Sequence, residues 1–320
     1  MGRSVLAGLA VVGLLAAFPY AAPPLYTLSF LTVVFMYVAL AESWTILGGY
    51  AGYVSFGHVA FFGVGAYTTA LLLLRLGLSP LLTFPVGALA AAGFAALVGY
   101  PIVRLQGPYF SIVTLLIALL TALAVKNTPA LGGTTGLWLP LPDLPIEVNR
   151  TIFYWYMLFL AAVATATAAW VERSKLGLGL MAIRQNEQVA EAAGVDTTRL
   201  KLTALVLSAG LVGAVGGVYG YLRSYVSPEI VFDLNIAVTL FLMALFGGCR
   251  RWEGPVLGAV ILSVVGEFLT LNIGEEVARI VYGLCLVLVV FFPDGLVGIL
   301  GQLQGGRQPG FGGKSDVTKR

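Results

Sequence analysis

The chain has 320 residues, of which 59% are hydrophobic and 10% charged, with a formal net charge of +3. An average soluble domain carries about 25% charged residues, so a water-soluble fold of this size could not cover its surface, and so small a net charge gives no footing for nucleic acid. Cys249 and Cys285, the two cysteines, fall near or within apolar runs, which argues against a disulfide framework and against a metal cluster.

A span needs about 20 mostly apolar residues. Ten windows qualify, at about 4–20, 27–46, 57–74, 81–103, 108–126, 152–171, 202–222, 232–249, 255–272 and 277–293. The fold class is therefore an all-α polytopic membrane protein of about ten transmembrane helices, with residues 1–300 forming one transmembrane domain. The first window follows a lone arginine and ends in small residues, as a secretory signal would. It reads as a retained span because everything after it is also membrane. Residues 301–320, rich in Gly and Gln, are expected to be a disordered tail.

The second and third windows are joined by LGGYAGYVSF, apolar but too glycine-rich for an ordinary helix. Non-helical backbone at membrane depth is tolerated only where protein buries it or a polar cavity receives it, and discontinuous helices build the substrate sites of many transporters. The stretch is thus expected to be broken and to lie on the translocation pathway, with Gly49, Gly52 and Gly57 shaping it and Ser55 and His58 as its polar groups. His58, the only histidine, is read either as a proton-relay group or as a hydrogen-bonded residue fixing a helix start. Glu42 lies inside the second window, where an ionised carboxylate is costly unless paired or wet, and is a further pathway candidate. Glu267, nearer a span's outer end, can reach water or Arg279.

Alternating the ten spans from a cytoplasmic N-terminus places thirteen of the eighteen basic residues inside, among them Arg104, Arg173, Lys175, Arg184, Arg199, Lys201, Arg250 and Arg251. Five fall outside: Arg75, Lys126, Arg150, Arg223 and Arg279. The excess of basic residues on the inner side fixes the orientation, with both termini cytoplasmic. The long outer connection NTPALGGTTGLWLPLPDLPIEVNR is too rich in proline and glycine for a helix, and its tryptophan and leucines suit the membrane interface. Asn149-Arg150-Thr151 within it is a formal glycosylation sequon, but too close to the next span for easy use.

On the inner side, residues about 172–201 form the one extended polar interruption. Leu180, Ile183 and Ala190 share an approximate helical face with Met181 and Ala193, while Arg184, Gln185, Glu187, Gln188 and Glu191 supply polar surface. Gly194 is placed to end this helix in the left-handed conformation. Asp196 can cap the next one. The spacing predicts a short helix over 182–194, lying flat beneath the bilayer and tethered at both ends to spans. It is either an ordinary solvated loop or a device for carrying motion from a partner. In the seventh window, Gly213 with Gly217 and Gly216 with Gly220 form two small-xxx-small pairs, a helix-packing surface. Whether its partner is this chain or another is not readable.

The core Glu191-Ala192-Ala193-Gly194 resembles the cytoplasmic EAA loop of ABC-importer permeases. Its surroundings, LGLGLMAIRQNEQVAEAAGVDTTRLKLTALVLSAGLVGAVGG, resemble the LivM-type permeases of branched-chain amino-acid importers. WTILGGYAGYVSFGHVAFFGVGAYTTALL, VSPEIVFDLNIAVTLFLMALFGG and WEGPVLGAVIL are similar to the same family in the same order, and LGGTTGL in the outer loop is a weaker echo. The chain departs from many relatives at Thr45, where they carry Asn, and at GGCRRWEGP, with its two arginines. The resemblance implies a permease of the bacterial or archaeal cytoplasmic membrane. It implies assembly with a second, LivH-like permease, two cytoplasmic ATPases that bind ATP and Mg, and an extracytoplasmic substrate-binding protein, with no cofactor in this chain. Arg184, Glu187, Glu191, Ala192, Ala193 and Gly194 would then couple to the ATPase.

The chain itself is not expected to be an enzyme. GFGGKS in the tail misses the phosphate-binding loop pattern at Gln308 and has no strand before it. There is no HExxH, no serine-nucleophile elbow and no cluster of metal ligands. The alternative function is a stand-alone secondary transporter or channel, with Glu42, His58 and Glu267 as ion-linked groups. That model leaves the cytoplasmic helix unexplained.

Overall fold

The computed structural model describes residues 2–21, 23–140, 144–291 and 295. The tail 301–320, with its loop-like GFGGKS, lies outside the described residues. The helices in chain order are α1 (Gly2–Ala17), α2 (Leu25–Trp44), α3 (His58–Leu76), α4 (Pro80–Ile102), α5 (Pro108–Lys126), α6 (Ile146–Arg173), α7 (Lys175–Gln185), α8 (Glu187–Ala192), α9 (Thr197–Arg223), α10 (Pro228–Val231), α11 (Leu234–Gly247), α12 (Glu253–Asn272) and α13 (Glu275–Phe291). Among the described residues, eight segments are long and apolar enough to cross a membrane. The first and last windows fold as α1 and α13, of 16 and 17 residues, just short of a full crossing.

Of the second span's most apolar window, 78% of residues are buried inside the chain, against 22% for α5. The second span is thus the centre of the bundle, and α5 is an edge suited to lipid. Around it, α9 packs on both α3 and α4, α6 packs along α2, and α11 and α12 pair with each other and close onto α2. Close approaches at glycines join α9 to α3 and α4, two of them to α3 backbone to backbone. A Cβ on Gly65 would sit 2.0 Å from the carbonyl oxygen of Gly213, and one on Gly216 would sit 2.1 Å from that of Phe62. A Cβ on Gly213 would meet Ala91 at 2.3 Å, one on Gly217 Thr69 at 2.5 Å, and one on Gly220 Val226 at 2.9 Å. The small-xxx-small surface is therefore consumed within this chain.

Contacts between helix ends fall into two groups. On one side, Lys126 pairs with Glu229 at 3.3 Å, Arg150 donates to Ser29, and the Tyr26 hydroxyl donates to the Glu267 carboxylate. On the other, the Trp252 amide donates to Glu172 at 2.9 Å, and α7 and α8 lie nearby. The outer connection holds two features that the sequence reading missed. Leu137 and Trp138 form a short strand, β1, paired antiparallel with β2, Tyr225–Val226. In addition, α6 begins at Ile146 rather than near 152, which places Asn149-Arg150-Thr151 inside its first turns.

Candidate functional site: the broken second span and the helices beneath it

The second span departs from α geometry at its C-terminal end. Its last turns, Thr45–Gly49, are a wide π turn, and residues 52–57 are not helical before α3 starts at His58. Glycines make this possible. A side chain on Gly49 would collide with the Cys249 carbonyl oxygen at 2.4 Å, and Gly52 has φ +76, the left-handed region that stops a helix. Among the described residues, the amides of Tyr53, Val54 and Ser55 meet no acceptor. The stretch is held mostly by side chains instead. The Trp44 indole donates to the Ser55 carbonyl at 2.9 Å, the Ser111 hydroxyl donates to the Val54 carbonyl at 2.7 Å, and the Phe56 amide donates to the Thr114 hydroxyl at 3.2 Å.

Ser55 and His58, both fully buried, belong to one polar chain. His58 Nδ1 lies 3.1 Å from the Ser55 hydroxyl, and Nε2 lies 2.6 Å from the hydroxyl of Ser208 on α9. A neutral imidazole has one donor and one acceptor nitrogen, and each here meets a hydroxyl able to take either role. Neither contact is to a carboxylate. Glu42 sits elsewhere. It is fully buried in α2, and neither carboxylate oxygen has a hydrogen-bond partner among the described residues. Among those residues, no group of three or more His, Cys, Asp or Glu could hold a metal ion.

The inner interruption folds as two helices rather than one over 182–194. Asn186 is extended at φ −162 and ends α7, and its Oδ1 accepts the Val189 amide at 3.1 Å to start α8. Gly194 at φ +88 closes α8, with the Val195 amide returning to the Ala190 carbonyl at 3.0 Å. Asp196 caps α9 through the Arg199 amide at 3.0 Å. Leu180, Ile183 and Ala190 are buried as their spacing requires. Ala193 is exposed and Met181 only half-buried.

Of the five positions read as polar surface, Arg184, Gln185, Glu187, Gln188 and Glu191, two turn inward. Arg184 donates to the Gly49 carbonyl, and its stem fills the space that a side chain on Gly52 would take, with Cγ 3.0 Å from that Cβ position. Glu187 accepts the Tyr53 hydroxyl and pairs with Lys201 Nζ at 2.5 Å; the Lys201 and Glu187 side chains are only 2% and 12% exposed. The Lys201 ammonium also lies 4.6 Å over the Tyr53 ring. Burial first, then the Glu187 carboxylate, push the Tyr53 phenol above the ordinary tyrosine range, so it keeps its proton and remains a donor. Gln185, Gln188, Val189, Glu191, Ala192 and Ala193 stay exposed, although Glu191 also accepts the Thr197 hydroxyl at 2.6 Å.

Lys201, Tyr53 and Ser208 are functional candidates that the sequence reading missed. Lys201 reads as an inner-leaflet anchor, yet it shares a helical stripe with Ala204, Leu205 and Ser208, all buried. That spacing was the available signal.

A family model described as branched-chain amino acid transport system / permease component matches residues 26–290. The chain is 28% identical to the high-affinity branched-chain amino acid transport system permease protein LivM of Escherichia coli (strain K12), over 85% of this chain and 70% of that one. It is 25% identical to the BraD permease protein of the corresponding Pseudomonas aeruginosa system, over 84% and 93%. To the LivH permease protein of Salmonella typhimurium it is 22% identical, over 82% and 91%. No solved structure matches the chain.

Proposed function

The chain belongs to the permease-component family of branched-chain amino acid transport systems and is of its LivM type, and on that premise we propose that it forms one membrane-spanning half of an ATP-driven importer for branched-chain amino acids. The other half is a LivH-like permease. Two cytoplasmic ATPases supply the drive, and an extracytoplasmic binding protein delivers the substrate to the face that carries β1 and β2. The observation that carries this reading is the pair α7–α8. Its buried side anchors it to the spans, and its free side presents Gln185, Gln188, Val189, Ala192 and Ala193. Val189, 63% exposed among polar and small neighbours, is the largest apolar side chain on that free side.

ATP can drive transport only if ATPase closure favours one state of the pathway over the other, and α7–α8 is the element placed to receive that bias. Gly194→Pro, which closes off the left-handed turn after α8, is expected to abolish leucine uptake while the protein remains inserted. Glu191→Lys is expected to do the same, with loss of the Thr197 contact as well. Normal uptake with both changes would overturn the coupling role.

Glu42 is the one observation that favours an ion-coupled alternative, since a buried carboxyl without a partner is a costly feature to keep. Under the importer reading, Glu42→Gln leaves the pH dependence of uptake unchanged. A lost or shifted pH dependence would favour the alternative.

A further inference from the structure

The broken stretch and the inner helices are joined at two points, each through a hydrogen bond from or to a charged side chain. From α7, Arg184 reaches the Gly49 carbonyl, at the end of the π turn. From α8, Glu187 holds the Tyr53 hydroxyl, while Lys201 of α9 neutralises the same carboxylate. The two grips are four residues apart on the second span, and Asn186, the break between α7 and α8, lies between them in sequence. We propose that Arg184, Glu187, Tyr53 and Lys201 form the linkage that carries movement of α7–α8 into the broken second span; they are positioning residues for transport. The proposal rests on the reading of α7–α8 as the element that receives the ATPase drive.

Three features make this a transmitting contact rather than a staple. First, the stretch it grips has little backbone bonding of its own to resist displacement, since the amides of residues 53–55 are unpaired among the described residues. Second, the far end of that stretch leads directly to Ser55, whose hydroxyl touches His58 and through it Ser208. A pull on Tyr53 therefore reaches the start of α3 and the middle of α9 within a few residues. Third, Gly52 provides the seat for the Arg184 stem. Any rotation of α7 must either carry Gly49–Gly52 with it or withdraw the arginine from that seat. Two of the partners, Arg184 and Glu187, stand on the helices that would take up the motion, and the third, Lys201, at the base of the span that follows. Charged side chains on long stems can exchange partners at modest cost, which interlocked backbones cannot.

The test uses the whole assembly, purified from its native membrane and reconstituted in vesicles, with the binding protein and radiolabelled leucine on the outer face. Two quantities are read together: leucine moved and ATP hydrolysed. Tyr53→Phe removes one hydroxyl and keeps the ring beneath Lys201. Arg184→Met keeps the stem in the Gly52 seat and removes the bond to Gly49. In the double variant the ATPases are expected to co-purify at the wild-type ratio and to hydrolyse ATP. Leucine moved per ATP is expected to fall by about tenfold, the scale of losing one or two such hydrogen bonds from one of two states. Charge exchange, Glu187→Lys with Lys201→Glu, is expected to recover more of that ratio than either single change. An unchanged ratio in the Tyr53→Phe, Arg184→Met variant would overturn the linkage, because a purely structural contact lowers both quantities together. Failure of the wild-type chain to bring any ATPase would instead overturn the reading of α7–α8, and the linkage with it.

Discussion

Two junctions on α9 are built from opposite materials. Toward its C-terminal half, Gly213, Gly216 and Gly217 let α9 lie directly on α3 and α4, against the backbone of Gly65 and Phe62 and the short side chains of Ala91 and Thr69, and the contacts leave no room even for a methyl group. At its N-terminal end, Lys201 meets α8 and the broken span through long charged side chains and a phenol. Interiors packed to that density transmit strain without yielding, while a few directional bonds can be exchanged. The comparison suggests a rigid body around the C-terminal half of α9 and an N-terminal end that can be moved relative to it.

Substitutions should break these two regions differently. The largest effect on stability is expected from Glu187→Leu alone, which strands the Lys201 ammonium with 2% of its side chain exposed; removing one partner of a buried pair costs about 3–5 kcal/mol. Adding Lys201→Met should return most of that loss, and chemical unfolding followed by tryptophan fluorescence would measure both variants. Gly216→Leu comes next, at about 3 kcal/mol from overpacking against the Phe62 carbonyl. It should appear as loss of the monodisperse peak in detergent, and no second substitution of a side chain can relieve it. Ser208→Ala leaves one His58 nitrogen unpaired and is expected to cost about 2 kcal/mol. The smallest change is Tyr53→Phe, about 1 kcal/mol, and this sharpens the contrast. In the rigid junction, function should fall only as fast as stability does. At the N-terminal end, a change that scarcely moves the melting temperature should still uncouple transport.

Much of this was legible in the sequence. The ten hydropathy windows coincide with ten helices because long apolar runs leave the backbone little choice but a helix in a membrane. The glycines of LGGYAGYVSF placed the break, Gly194 ended α8, and Asp196 capped α9, since each depends on local backbone geometry alone. What stayed hidden depends on where distant segments meet. Nothing in the spacing of Gly213 to Gly220 says whose helix fills the groove. Arg184 and Glu187 belong to a polar run that reads as solvated surface until a buried lysine and a phenol are placed opposite them. Lys201 sits where a lipid-facing anchor would, and only its buried stripe sets it apart. Strand β1 has two residues, too few for any periodicity, and Asn186 splits a helix that composition would carry through.

The central claim is that the free side of α7–α8 is where the ATPase attaches, and Val189 tests it most directly. Its side chain is exposed, so Val189→Asp should not disturb the fold. The measurement is affinity purification of the tagged chain from its native membrane in mild detergent, with mass spectrometry of what accompanies it. The account predicts that the unaltered chain brings a second permease and two ATPases, and that Val189→Asp keeps the permease and loses the ATPases. Undiminished recovery of the ATPases with Val189→Asp, or an unaltered chain that arrives alone and still transports, would contradict it.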